Sequence, residues 1–557
     1  MQQAATGLAL ALPLAAPALA QCDGAFFAAP GQKHEEFGAS IARSGFTSVV
    51  GAPGHGALGA IDVGALYVYE FDGSSWVQQS VHVASDAQAQ AQLGFSVAVD
   101  GERAIAGAKG DEPAGYLSEL GAAYVFERGP SGWSEVQKLT PSDAWADELL
   151  DAKRFGWSVD LEGERAIVGA PYAHPDWPGT LLSETGAVYV YERDAQSGLW
   201  SEVQRLLPAQ FTGGELFGTD VDLDGDRLVV GARRGSVGSE STGSVHVFEW
   251  SAALDRWVEV SELAPSGLQA GADFGRSVDL RGDRLAVGAD RVDVAGTNSA
   301  GAVYVYERDA QSGAWVLVEE LSAPEPVLSG NFGLEVGLGS ERLCVGARPD
   351  FPATDGSVYV YERDPASGLW DWVDRIDGPN GEGWNAFGHA FVLSEQELLV
   401  GERWGDGLGA GHGSAHVVDL SGEPCLDADV GVLPIVGGGT QSLSLDASES
   451  HPAGGALYLV LGSTGPTAPG LLIDGHLLPL SFDAWFVQTL IAPSATPLQN
   501  SLGLLDAQGG AQASFVLPPN APAALLGVQL HHAAVLVDLL HGAVVGASNA
   551  VPLSFAP

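Results

Sequence analysis

The chain has 557 residues, with 25 basic against 70 acidic side chains and a formal net charge of -45 at pH 7. This balance argues against nucleic acid and anionic membrane surfaces as partners, because phosphates and lipid headgroups are held by basic patches. It fits an acidic coat that keeps a secreted protein dispersed. Attraction of cations or cationic ligands is the other reading.

Residues 1–20 read as a signal peptide, an apolar core ending in the small-x-small pattern Ala18-Leu19-Ala20. No Lys or Arg precedes Lys33, so either the signal is weak or the translation start lies upstream. The segment is too short and too Pro-broken to span a bilayer. Leu19-Ala20-Gln21-Cys22 has the outline of a lipobox, but Gln21 stands where a small residue is expected. No later apolar stretch reads as a membrane anchor. The expectation is a secreted or cell-surface protein with no membrane insertion and an undetermined oligomeric state.

From residue 37 one pattern recurs. A Phe-Gly pair (once Leu-Gly) opens a short alternating segment at Phe37, Leu93, Phe155, Phe217, Phe274, Phe332 and Phe387, at spacings of 55 to 62 residues. Repeat three is the clearest. Phe155 to Leu161 alternates as an innermost strand, Glu162-Gly163-Glu164 turns, and Arg165 to Ala170 (RAIVGA) is a second strand. A long polar loop from Pro171 to Thr185 leads to a third strand, Gly186 to Glu192 (GAVYVYE). After the turn Asp194 to Leu199, Trp200 to Leu207 is the outer strand. Period-two alternation and Gly-containing turns carry these assignments. Seven copies of a four-strand unit predict an all-β fold, a seven-bladed β-propeller.

Several single residues follow from the repeat. The outer strands open with Trp76, Trp133, Trp200, Trp257, Trp315 and Trp370, which read as packing. Repeat seven stops after Leu420, and Cys22 to Pro30 aligns without a gap on Trp200 to Pro208. The N-terminal strand is therefore expected to complete the last blade and close the ring. Cys344 sits where other second strands carry Ala, Val or Ile and reads as core. Cys22 and Cys425 come near each other in this scheme and form a candidate disulfide, in keeping with export. Arg281-Gly282-Asp283 occupies a hairpin turn and reads as turn chemistry.

Beyond about residue 425 the composition changes, and no Lys or Arg follows Arg403. Short apolar runs between Gly, Pro and Ser turns predict a small β-sandwich. The domain expectation is 1–20 signal peptide, 21–424 propeller and 425–557 C-terminal β-sandwich.

The loops from second to third strand and from fourth strand to the next repeat share one face, and they are long and varied. Such loops on a rigid frame are where binding sites lie. The richest neighbourhood joins Pro141 to Arg154 with Pro171 to Thr185, where Trp145, Tyr172 and Trp177 stand among Asp147, Asp151 and Asp176. Aromatic rings beside carboxylates suit sugar stacking or a bound cation, and these six residues are the ligand-binding candidates. Decorated loops without a ligand are the alternative. No nucleophile elbow, HExxH, P-loop or dinucleotide fingerprint is present. No catalytic residue is therefore assigned, and an extracellular hydrolase is the minor alternative. His412 and His416 lie four apart on a strand, where joint metal ligation is not expected.

The Phe-Gly openers and the Val-Gly-Ala-Pro motifs (Val50 to Pro53, Val168 to Pro171) resemble the FG-GAP repeats of the integrin α-subunit propeller, also common in secreted bacterial proteins. The resemblance covers roughly residues 22–420. It implies a seven-bladed propeller whose loops bind proteins or sugars. Many members of that family carry an Asp-rich calcium loop between the first two strands. Here that connection is a two-residue turn. Asp220, Asp222, Asp224 and Asp226 of repeat four come closest, but a tight hairpin cannot wrap an ion that wants six to eight oxygens. No cofactor or metal is expected. Segments such as Tyr458 to Gly462 and Ser501 to Gly509 resemble a C-terminal module of planctomycete-type secreted proteins, which implies no activity. The expected function is non-enzymatic binding or adhesion to an extracellular glycan or protein. A purely structural role at the cell surface is the alternative.

Overall fold

The computed structural model describes residues 24–26 and 35–556, except 58, 73–75, 113–118, 144–152, 175–183, 211–212, 238–239, 349–355, 379–385, 404–412, 421–424, 429–431, 435–438, 447–456, 464–470, 474–475, 479, 481–488, 490–496, 507–509, 518–528, 539–542 and 549–550. Among these residues every named element is a β-strand.

Between Gly24 and Asp419 the described residues form seven four-stranded antiparallel sheets. In repeat three, Ser158–Glu162, Arg165–Ala170, Ala187–Arg193 and Trp200–Leu206 pair consecutively. The second strand is buried on both faces, as its run of small and branched apolar residues requires. A register shift opposite Val190 and Tyr191 bends the third and outer strands apart, and the same irregularity recurs at Val305 and Tyr306.

The innermost strands neighbour one another in chain order from Ser40–Ser44 to Phe387–Leu393, and the last neighbours the first. Closure is carried by backbone as well. Phe37 bridges Gly413, just as Phe155 bridges Gly121 and Phe217 bridges Gly186 in successive sheets. The N-terminal strand Gly24–Phe26 pairs antiparallel with Ser414–Asp419, with Gly24 opposite Val417. It is thus the outer strand of the last sheet, as expected, but two residues out of the register of the gapless alignment: Gly24 rather than Phe26 faces Val417, the counterpart of the Val190 that faces Gln204 in repeat three. The fold is all-β, a β-propeller.

The Phe-Gly opener has a double role. Phe155 is fully buried and stands edge-on to Tyr189 and Tyr191 of its own third strand, at 5.3 and 6.1 Å between centroids. Gly156 has φ +85°, and a Cβ there would lie 2.3 Å from the Ala122 carbonyl oxygen of the preceding sheet. Only glycine meets both demands at once. The outer-strand indoles Trp133, Trp200, Trp257, Trp315 and Trp370 are buried with no hydrogen bond at Nε1, so they act as packing volume. Cys344 is a free, fully buried core thiol, which burial pushes up to about 12.

Cys22 lies outside the described residues, and Cys425 begins the strand Cys425–Ala428. The C-terminal region holds a four-stranded sheet and a larger sheet containing Leu457–Ser463, Gln529–Asp538 and Val551–Ala556. Leu443 and Phe515 of the first share an apolar core with Tyr458 and Leu536 of the second.

Candidate functional site: the central channel and its mouth

The innermost strands surround a cavity of about 530 Å³. Each strand contributes residues in layers, counted from its opener. The layers are alike where they hold the ring together and unlike at one end.

The first layer of stitches is made by serine. Ser40, Ser96, Ser158 and Ser277 donate Oγ–H to the carbonyls of Gly94, Gly156, Gly218 and Gly333 in the next sheet, at 2.9 to 3.1 Å. Repeats four, six and seven carry Asp220, Glu335 and Ala390 at that position instead. Two residues further on, aspartate reaches across to the next sheet's backbone. Asp160 accepts from Leu223 N–H at 2.7 Å, Asp222 from Leu280 at 2.5 Å, and Asp279 from Leu338 at 3.0 Å. Asp220 accepts from Val278 N–H at 2.8 Å. At the short-turn end Asp100, Glu162 and Asp224 accept from Gly163, Gly225 and Gly282. The alternating aspartates of repeat four are thereby explained. Asp220, Asp222 and Asp224 stitch sheets together, and Asp226 pairs with Arg165 at 3.3 Å. Burial in the channel, aided by neighbouring carboxylates, raises Asp160, Asp220, Asp279 and Glu335 above the usual carboxylate range.

The mouth lies at the long-loop end, where innermost strands begin and second strands finish. The residue after the opener glycine is Phe95, Trp157, Arg276 or His389 in four repeats. The residue after the second strand is Lys109, Arg233, Arg348 or Arg403 in four repeats. Lys109 Nζ lies 3.6 Å from the Phe95 ring centre and 4.7 Å from that of Trp157. Trp157 also meets Phe95 and Tyr172, at 5.1 and 5.6 Å, and the Arg154 guanidinium lies over Tyr172 at 4.6 Å.

Most cations of this acidic chain have found a carboxylate. Arg154 pairs with Glu119 at 2.8 Å and Arg403 with Glu36 at 2.7 Å. Among the described residues Lys109, Arg233 and Arg276 are half-buried and make no ion pair within 4 Å. Burial, reinforced by Arg154 and Arg403 and partly offset by Glu119 and Glu36, lowers Lys109 to about 8. Burial, with Arg403, Arg276 and Arg348 nearby, pushes His389 down to about 3, so its imidazole is neutral. Arg276 feels Asp220, Glu335 and Asp290, none within ion-pair distance.

The ligand-binding candidates divide as follows. Tyr172 lies at this mouth, against Trp157 and Arg154. Trp145, Asp147, Asp151, Asp176 and Trp177 lie outside the described residues. Asp143, from the same loop, accepts from Tyr189 Oη at 2.9 Å and pairs with Lys153 at 3.0 Å and Arg205 at 2.8 Å. It anchors the loop base. His416 is held by Glu402 and Ser414, each at 2.9 Å. Arg281 and Asp283 of the hairpin turn pair with Glu395 and Arg227. Among the described residues no three His, Cys, Asp or Glu side chains are placed to hold a metal ion. The channel mouth itself escaped the sequence reading. Its signal was the cation that follows the second strand in four repeats.

The FG-GAP repeat family model matches residues 76–126, 133–191, 200–248 and 257–306. No curated protein matches the sequence. Among solved structures, a Lactobacillus plantarum protein is 16% identical with a TM-score of 0.41, over 62% of this chain and 86% of that one. Saccharomyces cerevisiae Sqt1 is 12% identical with a TM-score of 0.38, over 71% and 97%. The Pseudomonas aeruginosa periplasmic gluconolactonase PpgL is 16% identical with a TM-score of 0.39, over 62% and 86%. Likeness at this level carries no functional argument. The chain thus carries FG-GAP repeats, matched four times between residues 76 and 306, within a β-propeller fold.

Proposed function

We propose that the protein is a secreted or cell-surface propeller that binds an extracellular glycan or protein on its long-loop face without catalysis, and that residues 425–557 are an appended β-sandwich. The observation that carries this reading is the mouth of the channel. Aromatic rings and half-buried cations without ion pairs meet there, at the end from which the varied loops emerge. Among the described residues most other cations pair with a carboxylate, as Arg154 does with Glu119 and Arg403 with Glu36.

A hydrolase reading would need a free acid and base. The channel carboxylates are raised toward neutrality, as catalytic groups often are. Yet both oxygens of Asp160 accept backbone amides, and so do both oxygens of Asp220. Their geometry is that of structural stitches, which favours binding over turnover.

The test is a glycan and polysaccharide binding screen of the full chain, run with calcium and with chelator. Saturable binding abolished by Trp177→Ala supports the glycan branch. Silence under both conditions removes it and turns the search to a protein partner from the native cell surface.

A further inference from the structure

The mouth combines features that select a narrower ligand class. In a chain with 70 acidic and 25 basic residues, a cation without a carboxylate is the exception. Lys109, Arg233 and Arg276 are such exceptions; Lys109 and Arg276 line the same cavity, and Arg233 lies within reach of the Arg276 charge. Arg276 weighs on Arg233 and His389, and Arg403 weighs on both Lys109 and His389. Like charges gathered in a half-buried site repel, and an incoming anion relieves that repulsion. The rings of Phe95 and Trp157 fix the Lys109 ammonium in place, so the positive end is preorganised.

Below the cations the chemistry reverses. Asp220, Asp279 and Glu335 line the same cavity and present acceptor oxygens. Asp220 and Asp279 each accept backbone amides and retain further lone pairs. A ligand that fills this space needs one negative group at the mouth and several hydrogen-bond donors behind it. A bare inorganic anion supplies only the first. A neutral sugar supplies only the second.

We infer that the channel mouth binds the carboxylate of an acidic saccharide at the cations that line it, Lys109 and Arg276, with the sugar hydroxyls donating down the channel to Asp220 and Glu335. The cavity of about 530 Å³ falls in the ordinary range for small-molecule sites and accommodates a short acidic oligosaccharide end. The inference rests on the glycan branch of the function proposed above and specifies its charge.

The test is calorimetric titration of the full chain with digalacturonate, its uncharged methyl ester and inorganic phosphate. Digalacturonate is expected to bind at least tenfold more tightly than the ester or phosphate. Arg276→Gln and Lys109→Gln are each expected to weaken it at least tenfold. Because each removes an unpaired cation, the unfolding temperature is expected to hold or rise. Arg256→Gln, at the exposed start of the outer strand Arg256–Leu263, is expected to leave binding unchanged. If Arg276→Gln fails to fold, Lys109→Gln and the ester comparison on the native chain still decide. Equal binding of the ester overturns the inference while leaving the glycan reading standing. Equal binding of phosphate also overturns it, leaving a simple anion site. Absence of any saccharide binding overturns both.

Discussion

Asp160 Oδ2 accepts the backbone N–H of Leu223 at 2.7 Å, across the boundary between two sheets. The bond joins residues 63 positions apart and is one rung of a ladder that runs around the channel. Its partner rung, one turn of the alternation closer to the mouth, is the serine series. Together with the backbone bridges at the openers, they help keep successive sheets in a fixed register around the axis.

The serine rung makes a local prediction. Ser158→Ala removes the bond to the Gly218 carbonyl and leaves that buried oxygen without its donor. A cost of about 1 kcal/mol is expected in urea unfolding, within the usual range for a buried hydrogen bond. Ser96→Ala, its counterpart, is expected to cost a similar amount. Unchanged stability in both would show that the rung is incidental.

The carboxylate rung predicts an unusual pH dependence. Burial raises Asp160 to about 6, and Asp220 and Asp279 to about 7, from an ordinary 3.8. Between these values the folded chain binds protons that the unfolded chain releases. Stability contributed by these groups therefore rises as pH falls from about 7 toward 4, and is lost as pH rises through the folded values. Thermal unfolding should be higher at pH 5 than at pH 7.5, and Asp220→Asn should reduce that difference. An Asp220→Asn profile parallel to the parent would contradict the assignment.

Gly156 tests the opener. Alanine there must adopt φ near +85° and place its Cβ against the Ala122 carbonyl. A loss of at least about 2 kcal/mol is expected from the left-handed backbone and the displacement of the neighbouring sheet. Gly163→Ala is a useful control, because a Cβ there meets nothing within 4 Å despite φ +56°. Equal losses would assign the whole effect to backbone conformation.

The cysteines allow a count. If Cys22 and Cys425 are joined, denatured unreduced protein exposes one reactive thiol, Cys344. That thiol is buried and unreactive while the chain is folded. Three thiols in the denatured, unreduced chain would exclude the disulfide.

The fold was legible because its constraints repeat. Phe155 with Gly156, the Val-Tyr-Val-Tyr strand and the outer Trp200 recur at fixed offsets, and each is demanded by packing between sheets. The N-terminal strand was legible for the same reason, since the last repeat lacked one element that Gly24–Phe26 supplies. The channel mouth was not legible, because its residues vary from repeat to repeat. Phe95 and Trp157 are 62 positions apart and meet only when their innermost strands become neighbours. The alternating aspartates were readable as a strand face. Their bonds to the next sheet became apparent only from the stagger between strands.

The central claim is that ligand engages the long-loop end of the propeller. The most direct measurement compares saccharide binding by two full-length variants, Trp157→Ala at the mouth and Phe46→Ala on the short-turn face, where the ring is 70% exposed. The account predicts that Trp157→Ala loses binding at least tenfold while Phe46→Ala matches the parent. Binding retained by Trp157→Ala and lost by Phe46→Ala would place the ligand on the opposite face and contradict it.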